Sequence, residues 1–173
     1  MTLLRNDNLR LRLLEPEDLD LLYAWENDSS LWTSGSTVSP YSRYTLKEYL
    51  AESHLNIYEV RQLRLMIELL APGTAAGLAD LYDFDPHNRK AAVGILLDPR
   101  HQGKGIATQA LNLLADYAFS FLKLHQLYAY IPVGNKPSEA LFRRCGFSIS
   151  GTLSDWISID KGFSDVLFVQ RIN

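Results

Sequence analysis

Between Asp98 and Thr108 the chain reads Asp-Pro-Arg-His-Gln-Gly-Lys-Gly-Ile-Ala-Thr. This segment leaves an apolar run, Lys90 to Leu97, and enters a long amphipathic stretch. Small residues let backbone approach a ligand closely, and the free N–H groups of a helix start can hold an anion, commonly phosphate. Lys104 adds a positive charge beside them. Two familiar phosphate loops do not fit. A P-loop requires Gly-Lys followed by Ser or Thr, whereas Lys104 is followed by Gly105. A dinucleotide-binding loop requires a third glycine where Thr108 stands and an acid at the end of the next strand; Leu127 to Ile131 ends without one.

Other chemistry-bearing residues are scattered. Asn135 and Ser138 open a short segment ending at Gly146, and both are ordinary helix-cap residues as well as possible polar contacts. Asp80 and Asp83 lie in one apolar run, and strand alternation points them to opposite faces, so at most one lines a given cleft. His54, His87, His101 and His125 show no metal-ligand spacing with one another or with an acid, and no metal is expected. Cys145 is the sole cysteine, which excludes an intrachain disulfide and a cysteine-based zinc cluster. Beside Gly146 at a helix end it reads as a small, buried, inert residue.

The elements that must position these residues follow from periodicity. Leu9 to Leu14 alternates apolar and basic, as a half-buried strand does. Glu15-Pro16-Glu17-Asp18 supplies the proline and acids of a helix first turn, with Leu19, Leu22 and Tyr23 on one face and Asp28-Ser29-Ser30 as the stop. Residues 33–44 read as a loop, and Thr45 as the cap of a second helix carrying Leu46, Tyr49 and Leu50. Leu63 to Leu70, Ala75 to Phe84 and Lys90 to Leu97, joined by short turns, predict an antiparallel meander. Ala107, Ala110, Leu111, Leu114, Ala118, Phe121 and Leu122 recur at helical spacing within Gly103 to Leu122. Leu127 to Ile131 predicts a strand, Asn135 to Gly146 a short helix, and the flanks of Asp160-Lys161-Gly162 a hairpin. The order predicts an α+β fold, one domain over residues 1–173, with a mixed, mostly antiparallel central sheet flanked by helices.

Composition narrows the classes. The chain has 173 residues, 47% of them hydrophobic, enough for a real core. Seventeen Lys and Arg against twenty Asp and Glu give a formal net charge of -3, which argues against broad nucleic-acid binding. No run approaches the roughly 20 apolar residues of a membrane span, and Met1 to Arg10 has no apolar stretch of signal-peptide length. A cytoplasmic protein is expected, with no nucleic-acid or membrane partner, and a homo-oligomer is allowed.

Gln102, Gly105 and Ala107 fill the signature Q-x-x-G-x-G/A. With it, the chain resembles the GNAT N-acetyltransferase superfamily over nearly its whole length. Leu9-Arg10-Leu11-Arg12 with Glu15-Pro16-Glu17-Asp18 is similar to the family's first strand and helix, and Ala91 to Thr108 to its central strand and pyrophosphate loop. Asn135 to Phe147, read as N-x-x-S-x-x-L-x-x-x-x-G-F, is similar to its late helix and following strand. Ribosomal-protein N-acetyltransferases and spermidine N-acetyltransferases are the branches it resembles.

The resemblance implies direct acetyl transfer from acetyl-CoA to a primary amine, on a protein N-terminus or a small molecule. Main-chain groups of Ile95, Leu96 and Leu97 would pair with the pantetheine arm along a splayed strand edge. The backbone of Gln102, Gly103, Lys104, Gly105, Ile106, Ala107 and Thr108 would hold the pyrophosphate. Asn135 would touch the cofactor, with Phe142 and Arg143 on the same helix joining the cofactor-binding set. Ser138 falls where a serine protonates the leaving thiolate in the ribosomal-protein branch, and Asp83 is the candidate base. Phe142 stands where many members carry a tyrosine acid, so a tyrosine mechanism is not expected at that position. That departure keeps a second class open, a non-catalytic acyl-CoA-binding module. The acids of polyamine enzymes are also missing: Thr33 to Ser42 has none, and Ala92 replaces one in the central strand. Trp25, Trp32, Tyr41, Tyr44 and Trp156 are candidate walls for an acceptor pocket.

Overall fold

The structure is a computed structural model and describes residues 3–32 and 39–173, apart from the side chain of Trp32. Seven strands form one sheet in the order β1-β2-β3-β4-β5-β7-β6. They are β1 (Leu9–Leu13), β2 (Leu63–Leu69), β3 (Thr74–Asp85), β4 (Lys90–Leu97), β5 (Gln126–Pro132), β6 (Ser148–Ile159) and β7 (Gly162–Ile172). The first four form the expected antiparallel meander, and β4 and β5 are the one parallel pair among the described residues. The helices are α1 (Leu19–Glu26), α2 (Ser29–Trp32), α3 (Arg43–Ala51), α4 (Ile57–Val60), α5 (Ile106–Ser120) and α6 (Lys136–Arg144).

Alternation in the strands builds two separate cores. Leu9, Leu11, Leu65, Ile67, Ala79, Leu81 and Val93 turn to one face, where Ala110, Leu111 and Leu114 of α5 cover them. Met66 and Leu78 turn to the other, against Leu22 and Trp25 of α1 and Leu46 and Leu50 of α3. The basic residues of β1 also sit on this second face. Arg10 and Arg12 both donate to Glu68 of β2, and Arg12 reaches Asp18 at 2.8 and 2.9 Å. Burial of these apolar faces supplies most of the driving force, at about 25 cal/mol per Å².

Several local expectations need correction. Asp28-Ser29-Ser30 does not simply end a helix. Asp28 accepts from the N–H of Ser30 at 2.9 Å and so opens α2. The cap of the next helix is Ser42, not Thr45: its hydroxyl accepts from the Thr45 N–H at 3.0 Å, which makes Thr45 the third residue of the helix. Arg43 and Tyr44 are therefore helical rather than loop, while residues 33–38 of that predicted loop lie outside the described residues. The short α4 was missed. It is held by a capping box in which Asn56 and Glu59 satisfy each other's backbone N–H groups. Finally, α5 starts at Ile106, because Gly103 and Gly105 take left-handed φ values of 71° and 74° that a helix cannot continue through.

Candidate functional site

The parallel pairing of β4 with β5 is brief. It joins Lys90, Ala91 and Ala92 to Gln126, Leu127 and Tyr128, and then stops. Beyond it β4 keeps β3 on one side as far as Leu97, while β5 keeps β7 as far as Pro132. The edge of β4 from Val93 to Leu97 thus faces an opening in the middle of the sheet, with its backbone polar groups on that side unpaired by any strand. Burying such an edge without partners is costly, so it is suited to an extended ligand with amide groups of its own. Ile95 and Leu97 pack toward α5 and Leu96 toward α1, which leaves the backbone for the opening.

Close packing behind β4 fixes that edge. A Cβ on Gly77 of β3 would stand 2.1 Å from the carbonyl oxygen of Leu96, so only glycine allows this approach. Where β4 ends, Asp98 is buried and organises the turn into α5. Its carboxylate accepts from Arg100 Nε at 2.9 Å, Arg100 Nη2 at 2.8 Å, the Arg100 backbone N–H at 2.9 Å and Trp25 Nε1 at 3.1 Å. The Arg100 guanidinium holds the Asp98 carboxyl well below the usual carboxylate range, with the Arg100 and Trp25 N–H groups assisting against burial.

The loop that follows is a row of unused donors. Gln102 Nε2 donates to the Leu97 carbonyl at 3.3 Å and Lys104 Nζ to the Arg100 carbonyl at 2.8 Å, which fold the loop back on itself. The backbone N–H groups from Gly103 through Thr108 meet no acceptor among the described residues. A Cβ on Gly103 or Gly105 would meet nothing within 4 Å, so open space lies beside the loop. Consecutive free N–H groups, a helix start and a lysine make an anion cradle of the kind a pyrophosphate fits.

At α6, Asn135 caps the helix by accepting from the Ser138 N–H at 3.2 Å. Ser138 is half-buried, and its hydroxyl makes no hydrogen bond among the described residues. Phe142 is buried edge-to-face on Phe147, ring centroids 5.0 Å apart. With Arg143 and Glu139 it lines a separate hollow of about 230 Å³ toward the start of β6. Cys145 is buried and its thiol is pushed up by that burial, as its inert reading expects.

The other face of the sheet at the opening was only partly foreseen. Asp80 is not free: Arg64 of β2 grips it at 2.8 and 3.0 Å and also reaches Glu26 of α1 at 2.7 Å. Asp83 occupies a β-bulge between Tyr82 and Asp85 with φ of 48°, is exposed, and makes no ion pair among the described residues. Tyr82 and Tyr128 flank Ala92 in register across three strands. Burial, with the Asp83 charge next, pushes both phenols up to about 12. Of the expected acceptor walls, Trp25 is buried and bonded to Asp98, Tyr41 and Tyr44 are exposed, and Trp156 stacks on Tyr130 at 6.5 Å. Arg64 and the tyrosines carried no sequence signal, because their partners lie on other strands; the arginine-carboxylate pairing is nonlocal.

Comparison with known proteins agrees with this geometry. A model of the acetyltransferase (GNAT) domain matches residues 8–148. Spermidine N(1)-acetyltransferase of Escherichia coli (strain K12) is 32% identical over 149 residues, 84% of this chain and 76% of that protein. The crystal structure of spermidine N-acetyltransferase from Vibrio cholerae in complex with CoA and spermine superposes with a TM-score of 0.85 at 30% identity, covering 96% of each chain. A dodecameric structure of the same Vibrio cholerae enzyme gives 0.80 at 32% identity, covering 96% of this chain and 95% of that one. These matches favour an enzyme over a non-catalytic acyl-CoA-binding module. The chain belongs to the GNAT acetyltransferase family, enzymes that move an acetyl group from acetyl-CoA to an amine nitrogen.

Proposed function

We propose that acetyl-CoA lies with its pantetheine arm along the free edge of β4 from Ile95 to Leu97 and its pyrophosphate on the N–H groups from Gly103 to Thr108; the Gln102 N–H, expected to join them, donates to the Pro99 carbonyl at 3.3 Å instead. The observation that carries this is the early end of β4–β5 pairing at Ala92, which leaves a free edge running on to Leu97 and a loop of unused donors after it. Lys104, Asn135 and, at the far end of α6, Arg143 complete the binding set, and Phe142 holds α6 against the core. The fit rests on chemistry that the residues present supply: strand-edge amides for an amide-containing arm and a helix start for a diphosphate.

The acceptor nitrogen, once neutral, attacks the thioester carbonyl carbon. The carbon–sulfur bond breaks, the thiolate takes a proton, and the amine gives one up. Ser138 is the proposed donor to the thiolate, since its half-buried hydroxyl is uncommitted. Asp83 is the proposed base, acting through water, because Asp80 is occupied by Arg64 while Asp83 is not. A polyamine acceptor is the second reading, favoured by the similarity to spermidine N-acetyltransferases. A homo-oligomer in the cytoplasm belongs to the same reading. Its supports are the dodecameric neighbour and the exposed apolar residues Ile149, Ile159 and Phe163 on the edge hairpin β6–β7.

The test is release of free CoA thiol from acetyl-CoA with a panel of primary amines. Saturable release is expected with at least one amine, and Ser138→Ala lowers kcat by about tenfold or more while acetyl-CoA affinity is unchanged. Binding without turnover across the panel contradicts the catalytic reading, and a wild-type rate in Ser138→Ala removes that serine.

A further inference from the structure

Two strand edges border the opening between β4 and β5, and they are unequal. Which main-chain groups face it follows from the bonds made on the other side of each strand. The Asp98 N–H donates to the Ala76 carbonyl at 2.9 Å, so the even-numbered residues of β4 turn their N–H and C=O groups to β3. The odd-numbered ones, Ile95 and Leu97 among them, turn theirs to the opening. On β5, the Val133 N–H donates to the Asp165 carbonyl at 3.0 Å and the Asn173 N–H to the His125 carbonyl at 2.9 Å. The odd-numbered residues of β5 therefore bond to β7, while Tyr128, Tyr130 and Pro132 turn the other way, toward β4.

These three are not equivalent. Tyr128 is the last residue of β5 in register with β4. Pro132 has no N–H, and its carbonyl accepts from the Asn135 N–H at 3.0 Å. Tyr130 is left as the one described residue of β5 that offers the opening both an N–H and a C=O met by no strand. Its side chain stands on the face that α5 leaves uncovered, since Ala129 and Ile131 turn to the α5 core. There the ring meets Tyr128 edge to face at 5.8 Å and stacks on Trp156. Tyr130 is 39% and Trp156 58% exposed, so a ligand can approach. The longer β4 edge suits an arm that carries several amides. A single residue with one donor and one acceptor suits a single N–C–C=O unit, because an antiparallel bridge forms when two residues exchange both bonds.

We propose that the main chain of Tyr130 seats the acceptor and selects amines with a carbonyl on the carbon that bears the nitrogen, as at the N-terminus of a peptide. The neutral amine donates one N–H to the Tyr130 C=O, which leaves its lone pair for the thioester carbon. The adjacent carbonyl accepts from the Tyr130 N–H. Residues bridged in this way carry their side chains on one face, so the acceptor's first side chain lies beside the Tyr130 ring. An acceptor without the carbonyl covers the Tyr130 N–H and leaves it unpaired. This rests on the placement of acetyl-CoA along β4 proposed above.

The experiment compares kcat/KM for L-phenylalaninamide and for 2-phenylethylamine, which differ by the carboxamide alone. Each value is expressed per neutral amine, which removes the difference in amine ionisation, and acetyl-CoA affinity is measured separately by calorimetry. Wild type is expected to prefer L-phenylalaninamide by about tenfold or more, the effect of pairing one otherwise unmet N–H. Tyr130→Ala removes the ring but keeps the N–H, and retains the preference. Tyr130→Pro removes the N–H as well, at no cost in bonds to β7, and abolishes the preference. Where Tyr130→Pro does not fold, the wild-type comparison still decides. Any of four results overturns the inference: no wild-type preference for L-phenylalaninamide over 2-phenylethylamine or spermidine, a preference lost already in Tyr130→Ala, a preference that survives in folded Tyr130→Pro, or acetylation of neither amine with acetyl-CoA still bound. Loss of acetyl-CoA binding itself in the wild-type protein overturns the donor placement instead.

Discussion

The two sides of the opening between β4 and β5 are built in different ways. The side proposed to hold acetyl-CoA is backbone: an unpaired strand edge, the left-handed glycines Gly103 and Gly105, and a run of free N–H groups. The opposite face is built of side chains: Asp80, Arg64 and Glu26 drawn from three elements, and a cluster of rings from three strands. A backbone site tolerates changes in side chain but not in local geometry. A side-chain site can be retuned by single substitutions without moving the strands. One family can therefore keep one donor and vary its acceptors on the same scaffold.

Substitutions that move backbone should then hurt the donor side most. Among changes behind the edge, the largest effect is expected from Gly77→Val, whose side chain collides with the Leu96 carbonyl held 2.1 Å from the Cβ position. Overpacking of this kind costs about 1–3 kcal/mol, and the displaced β4 edge should lower acetyl-CoA affinity by about tenfold or more. Thermal unfolding and calorimetric titration measure both; full affinity in Gly77→Val would show that the β4 edge is not the contact.

A smaller effect is expected where one carboxylate organises the loop. Asp98→Asn weakens the bonds to Arg100 and should cost about 1–3 kcal/mol. The sign with pH is fixed by the lowered carboxyl: the stabilisation is complete above the ordinary aspartate range and is lost as pH falls through the lower folded value. The stability gap between wild type and Asp98→Asn should hold from neutral pH to about 4 and close below it. A gap that does not change with acid contradicts the charged pairing.

The smallest effect tests the side-chain face. Tyr82 and Tyr128, pushed up to about 12, stay neutral when ordinary tyrosines ionise near 10. Raised folded values mean that their contribution to stability is present below pH 10 and lost as pH rises toward 12. Absorbance titration of the folded protein should show Tyr82 and Tyr128 among the late-ionising phenols, beside the also raised Tyr44, Tyr49 and Tyr117, and one fewer in Tyr82→Phe. Uniform ionisation near 10 would mean that this row of the sheet is open to water.

The same contrast explains what the sequence revealed. The family and the glycine loop were legible because the signal is local: Gln102, Gly105 and Ala107 lie within six residues of chain, between a strand and a helix of clear period. The meander and β4 were legible from alternation and turns, with β4 bounded as expected at Lys90 and Leu97. Residues that act across strands were not. Arg64 reads as one more charge in a strand until the β2–β3 register sets it opposite Asp80. Thr45 and Ser42 are both cap-type residues three positions apart, and only the backbone shows that Ser42 takes the cap.

Acetyl-CoA titrated into Gly105→Asp tests the central claim most directly. Gly105 holds φ of 74° at the start of α5, with open space beside it, so an aspartate there adds backbone strain and a negative charge where the pyrophosphate is placed. The account predicts a folded protein, by circular dichroism, whose acetyl-CoA binding is lost. Wild-type affinity in folded Gly105→Asp would contradict it.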